Sequence, residues 1–263
     1  MPTARNGEIE IVYEKYGKGE PVLFIMGLGG TKELWEPQIE GLRDRFQVIV
    51  FDNRGVGEST IPKSAWTMAD MAKDAVSVLD AEGLREAHVV GASMGGMIAQ
   101  HVALDHPERV RRLALCCTTA GTFVAPPKPE IFSLLLDVKG KTREEVARNS
   151  LRLMFTPETV ASEKALCEHL MALSIRYAPP ARGFAYQIQA VTLHDTLRRL
   201  PEILSETLVV TGDRDELVPP RNSEIIAQAI PNARLVVVPG TSHGFFFDRA
   251  EEMNDLVAEF LNR

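Results

Sequence analysis

A serine between two glycines, in Gly91-Ala92-Ser93-Met94-Gly95, is the stretch of this 263-residue chain best suited to chemistry. A serine hydroxyl is a weak nucleophile at neutral pH. It needs a base to take its proton, and the base needs an acid to orient it. The run lies between Ala87-His88-Val89-Val90, which reads as a buried strand, and Gly96 to Leu104, which reads as a helix. A strand, a sharp turn with serine at its tip and then a helix make the nucleophile-elbow pattern. Such a turn strains the serine backbone and tolerates only small neighbours, and Gly91 and Gly95 stand two residues to either side. The helix N-terminus beneath the serine would offer unpaired N–H groups and the positive end of its dipole.

Six histidines compete for the role of base. His88 opens the elbow strand, His101 lies in the elbow helix, His106 falls in a helix-ending turn, and His169 and His194 belong to a helical stretch further on. His243 differs: it follows the last strand, in Pro239-Gly240-Thr241-Ser242-His243-Gly244. That loop is at the carboxyl edge of the sheet, where open α/β sheets place their sites. For the acid, the strand Leu208–Thr211 empties into Gly212-Asp213-Arg214-Asp215-Glu216-Leu217-Val218-Pro219, also at a carboxyl end. Asp213, Asp215 and Glu216 compete there, and spacing does not choose between the two aspartates. The loop after Cys117, Thr118-Thr119-Ala120-Gly121, carries no acid.

The elements that must hold these residues can be read from periodicity. Glu8–Glu14 alternates polar and apolar, as a half-exposed strand does. Pro21–Met26 is continuously apolar, as a strand buried on both faces is, and runs into the loop Gly27-Leu28-Gly29-Gly30. Phe46–Phe51 is a third strand and ends in Asp52-Asn53-Arg54-Gly55-Val56-Gly57-Glu58-Ser59. Thr67 with Asp70 is a helix start, and Gly83 a C′ glycine. Val110–Cys117, Thr207–Thr211 and Arg234–Val238 read as further strands, and Asn222–Ile230 as a helix. Met253, Leu256, Val257, Phe260 and Leu261 mark the core face of a C-terminal helix. Strands alternating with helices predict an α/β fold with a mostly parallel sheet covered on both faces. Between about Phe123 and Leu204 strand signals vanish: Thr142-Arg143-Glu144-Glu145 is a capping box, Thr156-Pro157 an N-cap with proline at N1, and Ser162–Tyr177 and Arg182–Leu197 read as helices. The expected organisation is a core of residues 1–122 and 205–263 with a helical cap over residues 123–204.

Composition narrows the class. An apolar share of 45% allows a full core, and a net charge of −7 gives no attraction to nucleic acid or anionic membrane. Three cysteines make no disulfide framework; Cys116, Cys117 and Cys167 read as buried small apolar residues. No stretch is apolar for long enough to span a bilayer and the first residues carry no apolar signal segment, so a cytoplasmic setting is expected. No His/Cys cluster has ligand spacing and no G-x-G-x-x-G opens a strand–helix unit, so neither metal nor organic cofactor is expected.

Together, Gly91–Gly96, Asp52–Ser59, Gly212–Pro219 and Gly240–Gly244 resemble the α/β-hydrolase superfamily, and within it the small cofactor-free carboxylesterases and enol-lactone hydrolases. The order serine, acid, histidine is that of the superfamily. Its Gly-x-x-Asp-x-x-x-Pro pattern puts the acid three residues after the glycine, which implies Asp215 over Asp213. The resemblance makes Asp52–Ser59 a structural turn. It also implies an oxyanion hole from two backbone N–H groups, those of Met94 and Leu28, each worth about 3 kcal/mol to the transition state. Many relatives carry His-Gly where this chain has Met26-Gly27, which leaves the support of the oxyanion loop to be found elsewhere.

The implied reaction is acyl transfer on an ester or lactone through Ser93, His243 and Asp215. Leu28, Met94, Phe123, Phe155, Phe245 and Phe246 are the expected pocket lining, and no motif positions an arginine for a substrate carboxylate, which favours neutral substrates. Serine at position 93 argues against the haloalkane dehalogenases and epoxide hydrolases of the fold, which need aspartate there. A C–C bond hydrolase, a cofactor-free perhydrolase and a non-turnover small-molecule receptor are the alternatives the same residues allow. The expected partner is the small-molecule substrate.

Overall fold

A computed structural model describes residues 1–263. Eight strands form one sheet: β1 (Thr3–Asn6), β2 (Ile9–Tyr16), β3 (Glu20–Ile25), β4 (Phe46–Phe51), β5 (Ala87–Ala92), β6 (Val110–Cys116), β7 (Thr207–Gly212) and β8 (Ala233–Val238). Their order is β1-β2-β4-β3-β5-β6-β7-β8. β2 pairs antiparallel with β1 and with β4, and every pairing from β4 to β8 is parallel. The helices are α1 (Glu36–Leu42), α2 (Met68–Ala81), α3 (Met94–Asp105), α4 (Pro129–Leu136), α5 (Arg143–Met154), α6 (Pro157–Ser162), α7 (Lys164–Arg176), α8 (Ala181–Thr192), α9 (Arg221–Ala229), α10 (Phe245–Asp248) and α11 (Ala250–Leu261). No helix is long and apolar enough to cross a membrane.

The pleat explains the continuously apolar strands. In β3, Leu23 and Ile25 belong to the core layer that includes α2, α3 and α9 on one face, while Val22 and Phe24 belong to the layer that includes α1 and α11 on the other. Covering both faces favours apolar residues on both sides of the central strands, because successive side chains point to opposite sides. The capping signals form as expected. Thr67 and Asp70 close a reciprocal box on α2, Thr142 and Glu145 do so on α5, and the Thr156 side chain accepts from the Thr159 N–H on α6.

Differences from the sequence reading are local. β1 was not expected; its four residues are too short to show alternation, and pairing with β2 forms them into a strand. α4 was not expected either, since the prolines around it read as punctuation, yet Pro129 stands in its first turn, where a missing N–H does no harm. The helix expected over 182–197 stops at Thr192, and a separate short 3₁₀ segment covers Leu197–Glu202.

Helices α4 to α8 all fall between β6 and β7 and lie over the carboxyl edge of the sheet. Helices α4 to α7 pack on one another, and the group meets loops that leave that edge. A Cβ at Gly183 of α8 would lie 1.8 Å from the Gly55 carbonyl oxygen after β4, and the Gly244 N–H after β8 donates to Met154 O at 2.6 Å.

Candidate active site

Ser93 sits between β5 and α3 at φ 55° and ψ −120°, one of two non-glycine residues with positive φ. Strain of this kind costs on the order of 1–3 kcal/mol and persists only where the surroundings dictate it. The Ser93 N–H donates to Cys116 O at 2.9 Å, and its carbonyl accepts from the Gly96 N–H at 2.9 Å and from Thr118 Oγ1 at 2.7 Å. The glycines are obligatory for close approach. A Cβ at Gly91 would lie 2.3 Å from Gly95 O, and one at Gly95 would lie 1.9 Å from Ile25 O. α3 can therefore press against β3 and β5 only because Gly95, and below it Ala99 and Ala103, present no bulk.

The structure brings Asp215 and His243 together. Asp215 Oδ2 lies 2.7 Å from His243 Nδ1, and both residues are buried. Asp215 Oδ1 accepts from the backbone N–H groups of Leu217 (2.9 Å) and Val218 (2.8 Å). With its other oxygen saturated by two donors, the carboxylate can accept a hydrogen bond from His243 Nδ1–H as a third, which orients the ring with Nε2 turned away from the acid. Asp213 is exposed, and Glu216 is exposed and pairs with Lys128 at 3.3 Å, so neither competes for the histidine.

Ser93 and His243 border the same cavity, of about 510 Å³. No hydrogen bond joins Ser93 Oγ to the imidazole in this resting state; the hydroxyl opens on the cavity. Leu28 and Met94 border it too, and neither of their backbone N–H groups donates to a protein acceptor. Two free N–H groups beside a strained serine and an oriented imidazole can hold a developing oxyanion.

The remaining histidines stand elsewhere. His88 meets Glu20 at 3.0 Å, His101 meets Asp105 at 3.2 Å, His169 meets Glu36 at 3.0 Å, and none of the five borders the cavity. His194 is buried 3.2 Å from Thr119 O, and burial, with His101 close by, pushes its pKa down to about 4. The unfolded chain then binds a proton that the folded one refuses as the pH falls from 6.5 towards 4, so stability drops through that window. The loss attributable to His194 is roughly 3 kcal/mol, at 1.36 kcal/mol per unit. In urea unfolding at pH 7 and pH 4, His194→Gln should lose less stability than the parent by about that amount; equal losses would show that His194 charges freely in the fold.

Thiols are poor rivals for the serine. Burial raises Cys116 to about 12, and burial together with the nearby Asp215 charge holds Cys117 well above the ordinary thiol range. Cys117 has φ 42° where the chain leaves β6, and its N–H donates to Val210 O at 2.8 Å.

The cavity wall corrects part of the expected lining. Leu28, Met94 and Phe246 face it. Phe123 does not: it is 79% exposed, because its neighbour Thr122 turns inward to donate to Val191 O at 2.6 Å and the two side chains diverge. Phe155 does not: it lies behind the histidine loop, where a Cβ on Gly244 would be 2.7 Å from its ring, and packs edge-on against Phe247. Phe245 does not: in α10 it points into the core, leaving Phe246 and Phe247 to reach the cavity. The wall also contains Met26, noted in the sequence only as standing where many relatives have histidine, and Leu34, Phe132, Leu151, Phe184 and Phe247, which the sequence did not single out. Lys141 and Arg143 border it as well, although no motif marked them.

The loop carrying Leu28 is held from several sides. Asn53 Nδ2 donates to Met26 O at 2.9 Å, the Gly29 N–H donates to Gln187 Oε1 at 2.9 Å, and the Lys32 N–H donates to Asp52 Oδ1 at 2.9 Å. Arg54 is bound to Asp74, with Nη2 2.7 Å from Oδ1, and stands in the turn rather than in the cavity.

Comparison with known proteins agrees with this architecture. The family model described as the alpha/beta hydrolase fold matches residues 20–250. The chain belongs to that family. It is 32% identical over 262 residues to "Putative carbamate hydrolase RutD" of Azorhizobium caulinodans, covering 99% of this chain and 98% of that one. Among solved structures, the enol-lactonase from Burkholderia xenovorans LB400 superposes with a TM-score of 0.89 at 26% identity, with both chains covered in full. A thermophilic esterase from Thermogutta terrifontis gives 0.86 at 28% identity, covering 99% of this chain and 96% of that one. This family member has the mostly parallel, helix-flanked sheet that its sequence led one to expect, and it resembles esterases and lactonases within the family.

Proposed function

We propose that this chain is a serine hydrolase that cleaves carboxylic esters or lactones through an acyl-enzyme. The observation that carries the reading is the buried Asp215–His243 pair opening onto the same apolar cavity as the strained Ser93. The likeness to an enol-lactonase and an esterase supports the choice of substrate class. When a substrate fills the cavity, rotation of the Ser93 side chain brings Oγ to His243 Nε2, as catalytic contacts that are loose at rest tighten in the complex. Nε2 takes the hydroxyl proton as Oγ attacks the acyl carbon. Asp215 holds the ring and stabilises the imidazolium, and the Leu28 and Met94 N–H groups donate to the oxyanion. His243 then protonates the departing alkoxide, and water repeats the sequence on the acyl-serine. Helices α4 to α8, within the proposed cap 123–204, supply the apolar roof.

An apolar wall selects by acyl length. Each methylene moved from water to the wall is worth up to about 0.8 kcal/mol, near fourfold. On p-nitrophenyl esters, kcat/KM should rise roughly tenfold from acetate to butyrate, and simple γ-lactones should also turn over. A panel of neutral esters and lactones on which the wild type shows no turnover would sink the reading.

A further inference from the structure

Gln187, in the middle of α8, is fully buried at 0% exposure, and both ends of its amide are bonded to distant backbone. Oε1 accepts the Gly29 N–H at 2.9 Å and Nε2 donates to Arg54 O at 3.0 Å. The Gly29 N–H belongs to the peptide unit that Leu28 begins, so whatever holds it prevents that unit from turning. Gly29 has φ +69°, a conformation with freedom to move unless it is tied. The anchor at the other end is firm. Arg54 makes a two-pronged ion pair with the buried Asp74, and α8 touches the same turn backbone to backbone through Gly183 and Gly55. The flank of Gly29 meets α8 and the segment before it, since a Cβ there would lie 3.3 Å from Pro179 Cγ and 3.4 Å from Phe184 Cδ2.

We infer that Gln187 is a positioning residue: by fixing the Leu28–Gly29 peptide it restrains the Leu28 backbone, and through the Leu28 Cα the preceding Gly27–Leu28 peptide, whose N–H is the proposed oxyanion donor. The helices roofing the site then also complete its oxyanion hole, a task that Met26, standing where many relatives have histidine, does not perform. The inference rests on the serine-hydrolase reading above. A glutamine that merely satisfied two buried backbone groups would matter to melting temperature and not to the chemical step, because neither the Gly29 N–H nor the Arg54 carbonyl is itself assigned a contact with the reacting atoms.

The two cases separate experimentally. Gln187→Met keeps length and volume and removes both polar ends; Gln187→Glu keeps an oxygen facing Gly29. The readouts are kcat and KM for p-nitrophenyl butyrate, melting temperature, and affinity for n-butylboronic acid, whose tetrahedral adduct on Ser93 places an oxygen in the oxyanion position. Displacing one donor should lower kcat of Gln187→Met at least tenfold with KM within threefold, lower boronic acid affinity by the same factor, and leave Gln187→Glu closer to wild type. A smaller fall in kcat, or a loss carried by KM alone, overturns the inference whatever the melting temperature does. If the methionine variant does not fold, Gln187→Asn, one methylene too short to span Gly29 and Arg54, is judged by the same limits. A wild type that neither turns over the ester nor binds the boronic acid rejects the serine-hydrolase reading itself, an outcome distinct from an active wild type matched by its Gln187 variants.

Discussion

Ser93→Ala is expected to lower kcat on p-nitrophenyl butyrate by roughly 10⁴- to 10⁶-fold, the range seen when the nucleophile of an acyl-transfer constellation is removed. What survives is the attack of water helped by the oxyanion donors alone. The fold should be untouched. Ser93 Oγ makes no bond to His243 at rest, its backbone bonds to Cys116, Gly96 and Thr118 do not involve the hydroxyl, and alanine keeps the Cβ that sits against Gly27. Unfolding free energy should therefore change by less than about 1 kcal/mol. A fluorophosphonate should add its mass to the Ser93 peptide of the wild type and leave the variant unlabelled. More than about 1% residual turnover in an alanine variant free of wild-type contamination would reject Ser93 as nucleophile, since no background route in the cavity is that efficient.

How much of this was legible before any coordinates depends on the range of the forces involved. The elbow was legible because its geometry is local: a positive φ at Ser93 and the backbone contacts of Gly91 and Gly95 demand small residues at fixed offsets, and those offsets are visible in the string. The double-faced sheet was legible because burial on both sides removes the alternation that a half-exposed strand such as β2 keeps. Helix starts at Thr67, Thr142 and Thr156 were legible because a cap is a bond between residues three apart. The pocket wall was not. Whether Phe123, Phe155 or Phe245 faces the cavity depends on side-chain direction and on what packs behind it, and a phenylalanine is equally apolar in a core, on a wall or at the surface. Gln187 had no signal at all. A single glutamine in an amphipathic helix reads as a solvent-side residue, and its two partners lie 158 and 133 positions away.

The choice between the two aspartates leads to the second large expected effect. Asp215→Asn should lower kcat by about 10³- to 10⁴-fold and leave KM within a few-fold, while Asp213→Asn should change neither by more than about twofold. The reason lies in how the carboxylate is wired. One oxygen of Asp215 accepts two backbone N–H groups, from Leu217 and Val218, and the other faces His243 Nδ1. An asparagine must keep its carbonyl oxygen on those two donors, because a buried N–H left facing another N–H costs the full penalty of an unmet donor. Its amide nitrogen is then turned towards the imidazole and can only donate. His243 Nδ1 must become the acceptor, so the ring proton moves to Nε2, the nitrogen that should receive the serine proton. The variant would keep its fold and its cavity and hold the wrong tautomer of its base. Asp213, by contrast, is exposed and its side chain makes no hydrogen bond to the histidine loop, so replacing it leaves the tautomer unchanged. Measured side by side on one ester, a larger loss at Asp213 than at Asp215 would mean that the buried pair is structural and that the base is oriented by another group.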